Sequence, residues 1–83
     1  MDSGQIFEQV IAILKPFAKA PELLDSAGLE TSLLGDLKIN SARLVDVVLE
    51  IEDRFCFAVE DAEADKVRTI GDAVELIRTH AAA

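Results

Sequence analysis

The chain has 83 residues and a mass of 9.0 kDa, with 16 Asp and Glu against 8 Lys and Arg and a formal net charge of −8. At 51% hydrophobic residues it is too apolar for a solvated acidic tail. Surface scaling gives about 4,900 Å² folded against about 13,000 Å² unfolded, enough for one modest core but not for separate cofactor and substrate domains. So acidic a chain repels phosphate backbones and anionic membranes, and it favours a basic protein partner.

The first apolar segment is Ile6, Phe7, Val10, Ile11, Ile13, Leu14 and Phe17, at helical spacing. Ser3 is the expected N-cap, and Pro16 ends the helix near Leu14 or Lys15. Residues 16–39 hold Pro16, Pro21, Gly28 and Gly35, and read as a long ordered connection with a short helical turn over Pro21–Ala27. Its leucines Leu29, Leu33, Leu34 and Leu37 imply that it packs on the core, and its length makes it a candidate functional segment.

Asn40 caps the strongest helix. From Ser41 onward, Leu44, Val45, Val48, Leu49, Ile51 and Phe55 form one broad apolar face, opposite Arg43, Asp46, Glu50, Asp53 and Arg54. Cys56 follows a core residue and is expected to be buried and structural. Residues 60–65 make at most a short helix. Thr69 and Asp72 resemble a capping box that opens a last helix through Ile70, Ala73, Val74 and Ile77, with a fraying tail over Thr79–Ala83. The expected fold is all-α: a small four-helix bundle of three main helices and one short one, with a long loop between the first two, forming a single domain over 1–83.

Catalytic residues and metal ligands are not expected. The single His80 lies in the tail, so no nucleophile has a base beside it, and Cys56 alone makes no disulfide or thiolate cage. The paired carboxylates sit on a solvated helix face, where solubility explains them better than acid–base work. No apolar run is long enough to span a membrane, and Asp2 without a basic leader argues against a signal peptide. A free cysteine then suggests a reducing cytoplasm. The charge is concentrated: residues 36–65 carry nine acids and three bases, net −6, against −3 before them and +1 after. Within that stretch Ser41 begins a helix, where orphan N–H groups and the helix dipole favour an attached anion.

At this point the sequence resembles the acyl carrier protein family. The family signature Asp-Leu-Gly-x-Asp-Ser-Leu, followed by Val-Glu and an acidic stretch ending in Phe, meets Asp36-Leu37-Lys38-Ile39-Asn40-Ser41-Ala42, then Val45-Asp46, then Glu50-Ile51-Glu52-Asp53-Arg54-Phe55. Further on, Val59-Glu60-Asp61, Ala64-Asp65-Lys66-Val67 and Thr69-Ile70-Gly71-Asp72-Ala73 follow the family pattern without a gap. The resemblance implies that Ser41 carries a 4′-phosphopantetheine arm, taken from coenzyme A by a phosphopantetheinyl transferase, and that the arm holds acyl groups as thioesters. It implies a monomer that serves fatty-acid, lipid or polyketide-type biosynthesis and docks on acyl-handling enzymes with basic patches. Docking falls to Asp46, Glu50, Glu52, Asp53 and Asp61. An acyl chain would enter beside Leu44, Val48, Ile51, Phe55, Val59, Ala64 and Val67. The alternative is a carrier-like module that is never modified and binds partners through its acidic second helix. Lys38, Asn40, Ala42 and Arg43 depart from the family pattern. Asn40 keeps the cap but lacks the charge, so the rim of Ser41 is less acidic than usual, as expected of a specialised carrier with a narrow partner set or a dedicated transferase.

Overall fold

A computed structural model describes residues 2–18 and 21–81 of the chain. In order they form α1 (Ser3–Leu14), a 3₁₀ turn (Pro21–Ser26), α2 (Ser41–Phe55), the short α3 (Asp61–Ala64) and α4 (Ile70–Ala81). This is the expected all-helical bundle. α1 packs chiefly on α4 and also on α2, and α2 touches α4. The accessible surface of 5,107 Å² is close to that expected from mass alone.

α1 begins one residue earlier than expected. Asp2, not Ser3, is the N-cap: its Oδ1 accepts from the Gln5 amide at 2.9 Å, and Gln5 Oε1 accepts from the Asp2 amide at 3.1 Å. The Asp2 carboxylate and the Gln5 side chain thus close a reciprocal box. Ile6, Val10, Ile13 and Leu14 are its buried face.

The long connection is part of the core. Leu24, Leu33, Leu37 and Ile39 are all buried, three of them almost completely. It is stapled to the start of α4. The Leu33 amide donates to Arg68 O, the Ile70 amide to Thr31 O and the Gly71 amide to Leu29 O, with Ser32 and Thr69 forming an isolated antiparallel bridge. Glycine is required at 71, because a Cβ there would lie 2.8 Å from the Leu29 carbonyl oxygen. Lys38 lies in the left-handed region at φ 59° between the buried Leu37 and Ile39.

Asn40 caps α2 as expected, its Oδ1 accepting from the Arg43 amide at 2.9 Å. The apolar face of α2 needs correction. Val47, Val48 and Ile51 are buried, and Leu44 and Phe55 pack against the core, while Val45 and Leu49 are 61% and 55% exposed. Apolar residues run around more than half of this helix, and α1 and α4 can cover only one side.

Cys56 also departs from expectation. It is exposed, because α2 ends there in a left-handed residue (φ 56°, ψ 47°) whose N–H returns to Glu52 O. The turn breaks the helical phase, so a neighbour of Phe55 does not inherit its burial.

α4 opens with the expected reciprocal cap of Thr69 and Asp72, whose amides each donate to the other's side-chain oxygen at 3.1 Å. It extends further than expected, through Thr79 and His80 to Ala81, because His80 is held by Glu63. The rest of the predicted frayed tail, Ala82 and Ala83, lies outside the described residues.

Candidate functional site

Ser41 is the first residue of α2 and is exposed. Asn40 spends its side chain on the Arg43 amide, and its carbonyl accepts from the Arg43 and Leu44 amides. The Ser41 and Ala42 amides have no protein acceptor among the described residues. A helix start with two free donors beside an unengaged hydroxyl suits a covalently attached phosphate, which would meet both N–H groups and the positive end of the helix dipole.

From Ser41 a groove of about 800 Å³ runs along α2. The α2 wall is Ser41, Leu44, Val45, Val48, Leu49 and Glu52. At 1.5 Å per residue, Ser41 and Glu52 are about 16 Å apart along the axis. The opposite wall is built by Val59, Asp61, Ala64, Asp65, Val67 and Arg68, with Ser32 and Leu34 of the long connection closing the side. Of the seven positions expected to receive an acyl chain, Leu44, Val48, Val59, Ala64 and Val67 line this groove together. Ile51 and Phe55 do not. Ile51 is fully buried, and Phe55 packs against the core. The sequence reading missed Val45 and Leu49 as lining residues, and with them Ser32, Leu34, Asp65 and Arg68. The signal for the first two was an i, i+4 apolar pair more than α2 could bury; nothing in the sequence marked the other four.

The acids expected to dock partners are not equivalent. Asp46, Glu50 and Asp53 are exposed on the outer side of α2, where with Phe17 and Leu49 they surround a second hollow of about 440 Å³. Leu49 belongs to both hollows and forms the crest between them. Asp61 is exposed at the start of α3. Glu52 is half-buried and turned inward, its Oε2 accepting from the Val59 amide at 3.0 Å, so it also fixes the connector between α2 and α3. Two cations on this side are engaged: the Arg43 guanidinium lies 5.8 Å from the Phe17 ring centroid, and Arg54 donates to Gln9 at 2.9 Å. The Glu63 carboxyl, beside the groove wall, is held below its ordinary range, first by the hydrogen bond from His80 and then by that from the Glu60 amide. Among the described residues no cluster of His, Cys, Asp or Glu is placed to hold a metal ion, and no helix is long and apolar enough to cross a membrane.

No family model matches the chain. It is similar to the acyl carrier protein of Lactobacillus acidophilus, 41% identical over 56 residues that make up 68% of this chain and 70% of that one. It is 32% identical to the acyl carrier protein of Petrotoga mobilis over 77 residues, 93% of this chain and 88% of the other. With that of Coprothermobacter proteolyticus it shares 30% identity over 80 residues, 96% and 95% of the two chains. These identities run over nearly the whole of both partners in the last two cases and accompany a helical bundle with a serine at the head of its second helix, so the chain belongs to the acyl carrier protein family.

Proposed function

We propose that the chain carries acyl groups as thioesters on a 4′-phosphopantetheine arm attached to the Ser41 oxygen, and that it performs no turnover of its own. The observation that carries this reading is the position of Ser41, exposed at the capped start of α2 and at the head of a groove with an apolar floor. The arm supplies the thiol. The chain's own residues would do the rest: the Ser41 and Ala42 amides face the phosphate, and Leu44, Val48, Val59 and Val67 shelter an apolar chain from water.

Partner enzymes are read as basic surfaces that meet the field of α2 and α3. Asp46, Glu50, Asp53 and Asp61 supply charge at long range, while the exposed Val45 and Leu49 supply apolar contact once docked. Exposed acids give fast, salt-sensitive association, which suits a shuttle that must leave as readily as it arrives. Glu52 contributes as much by holding Val59 as by its charge. The exposed free thiol of Cys56 suits a reducing compartment, so the setting is read as the cytoplasm and the pathway as fatty-acid, lipid or polyketide-type synthesis.

Intact mass tests the reading. Incubation with coenzyme A and a phosphopantetheinyl transferase should add one phosphopantetheine per chain, and Ser41→Ala should abolish the addition. An unchanged mass with several transferases, including one from the same source, would overturn it in favour of an unmodified interaction module.

A further inference from the structure

The wall of the groove opposite α2 rests on α3, and α3 has little to hold it. It is four residues long, far below the length at which a helix stands by itself, and none of its residues is buried. Its entry is fixed by the bond from the Val59 amide to Glu52, and its exit by burial of Val67. The middle is held by one side chain, Glu63. Both Glu63 oxygens are in use. Oε1 accepts from the Glu60 amide at 3.3 Å and caps α3, while Oε2 lies 2.8 Å from Nε2 of His80 near the end of α4. A carboxylate has no proton to give, so Nε2–H of His80 is the donor. One face of the imidazole is occupied too. The Phe57 ring stacks on it at 4.4 Å between centroids and 4° between planes, with Phe55 a further 6.5 Å from Phe57. A chain of contacts therefore runs from the end of α2 through Phe57 and His80 to Glu63.

We propose that Phe57, Glu63 and His80 form a tether that fixes α3 against α4, and so sets how firmly the second wall of the groove stands beside Ser41. They are positioning residues. Asp61 and Ala64 of α3 and Asp65 at its C-cap line the groove, so the freedom of α3 is theirs. Stacking restricts the imidazole to the rotamer that reaches Glu63, which makes Phe57 as necessary to the tether as the hydrogen bond. The consequence for cargo rests on the carrier reading; the tether itself does not.

The test is amide hydrogen exchange and methyl relaxation by NMR on the full unmodified chain. The Ala64 and Asp65 amides, which donate to Glu60 O and Asp61 O, report α3. The helical amides of Val10 and Val48 report the rest of the bundle. His80→Ala should speed exchange at Ala64 and Asp65 about fivefold, the worth of one exposed side-chain hydrogen bond, and broaden the methyls of Val59 and Val67. Val10 and Val48 should not change. His80→Gln, which keeps a donor, should restore part of the protection. Phe57→Leu should loosen α3 with the Glu63–His80 pair chemically intact. Unchanged exchange at Ala64 and Asp65 in His80→Ala would overturn the proposal, as would an equal acceleration at all four amides. Both readouts are taken without an arm, so failure of Ser41 to accept one would sink the carrier reading and leave the tether decided.

Discussion

Lys38 offers the sharpest test of how backbone geometry and sequence conflict beside the site. At φ 59° its Cβ crowds the following carbonyl, at a cost of roughly 1–2 kcal/mol for an L-residue. The strain persists because both neighbours are locked: Leu37 and Ile39 are buried, the Leu37 amide donates to Ser32 O, and the Ile39 amide to Leu33 O. Glycine relieves the crowding but adds about 0.5–1 kcal/mol of unfolded-state entropy, leaving a net gain near 1 kcal/mol. The comparison that isolates this is Lys38→Gly against Lys38→Ala, since both remove the same charge from an already acidic chain. For a domain of this size the glycine variant should melt about 4–8 °C above the alanine variant in a circular-dichroism thermal scan. Equal melting of the two, at low and high salt alike, would refute the claim that the left-handed conformation is strained.

Asn40→Ala removes the α2 cap and should cost about 1 kcal/mol by urea unfolding, with Asn40→Asp retaining stability. Gly71→Ala must displace the Leu29 carbonyl or the start of α4 and should cost about 1–3 kcal/mol in the same assay. Glu63 has a folded pKa below its ordinary 4.5, so its stabilisation is complete above that value and is lost as pH falls through the folded pKa. The natural chain should therefore lose more stability than Glu63→Gln between about pH 6 and about pH 3, and parallel pH profiles would contradict this. Replacing Asp46, Glu50 and Asp53 together by Lys should leave helical circular dichroism intact, weaken binding to a cognate enzyme measured by titration calorimetry, and flatten the salt dependence of that binding.

The helices were legible because their limits are written in local chemistry. Pro16 stops α1, Asn40 starts α2, and Thr69 with Asp72 starts α4. The core was less legible where composition is generous. α2 carries apolar residues around most of its circumference, and only the placement of α1 and α4 decides that Val47 is buried while Val45 and Leu49 are exposed. For the candidate site, the head of the groove at Ser41 and much of the wall opposite α2, between Val59 and Val67, were visible. Leu34 and Arg68 join it only because the Leu33 amide binds Arg68 O, a pairing 35 residues apart that no periodicity reports. Cys56 is exposed because α2 ends there in a left-handed residue that the surrounding apolar run does not reveal, and a lone histidine such as His80 carries no pattern. Its role exists only once α3 and α4 meet.

The staple between the long connection and α4 bears on the order of assembly. Leu29 to Gly71, Thr31 to Ile70 and Leu33 to Arg68 are the chain's most distant backbone pairings among those joining the connection to α4, and they close a segment that contains all of α2 and α3. Closing so long a segment has an entropic cost that the helices, built from neighbours, do not bear. The connection should therefore order late, after the helices have collapsed. Until Arg68, Ile70 and Gly71 make their pairings, Ser41 and its capped helix start have no fixed loop beside them.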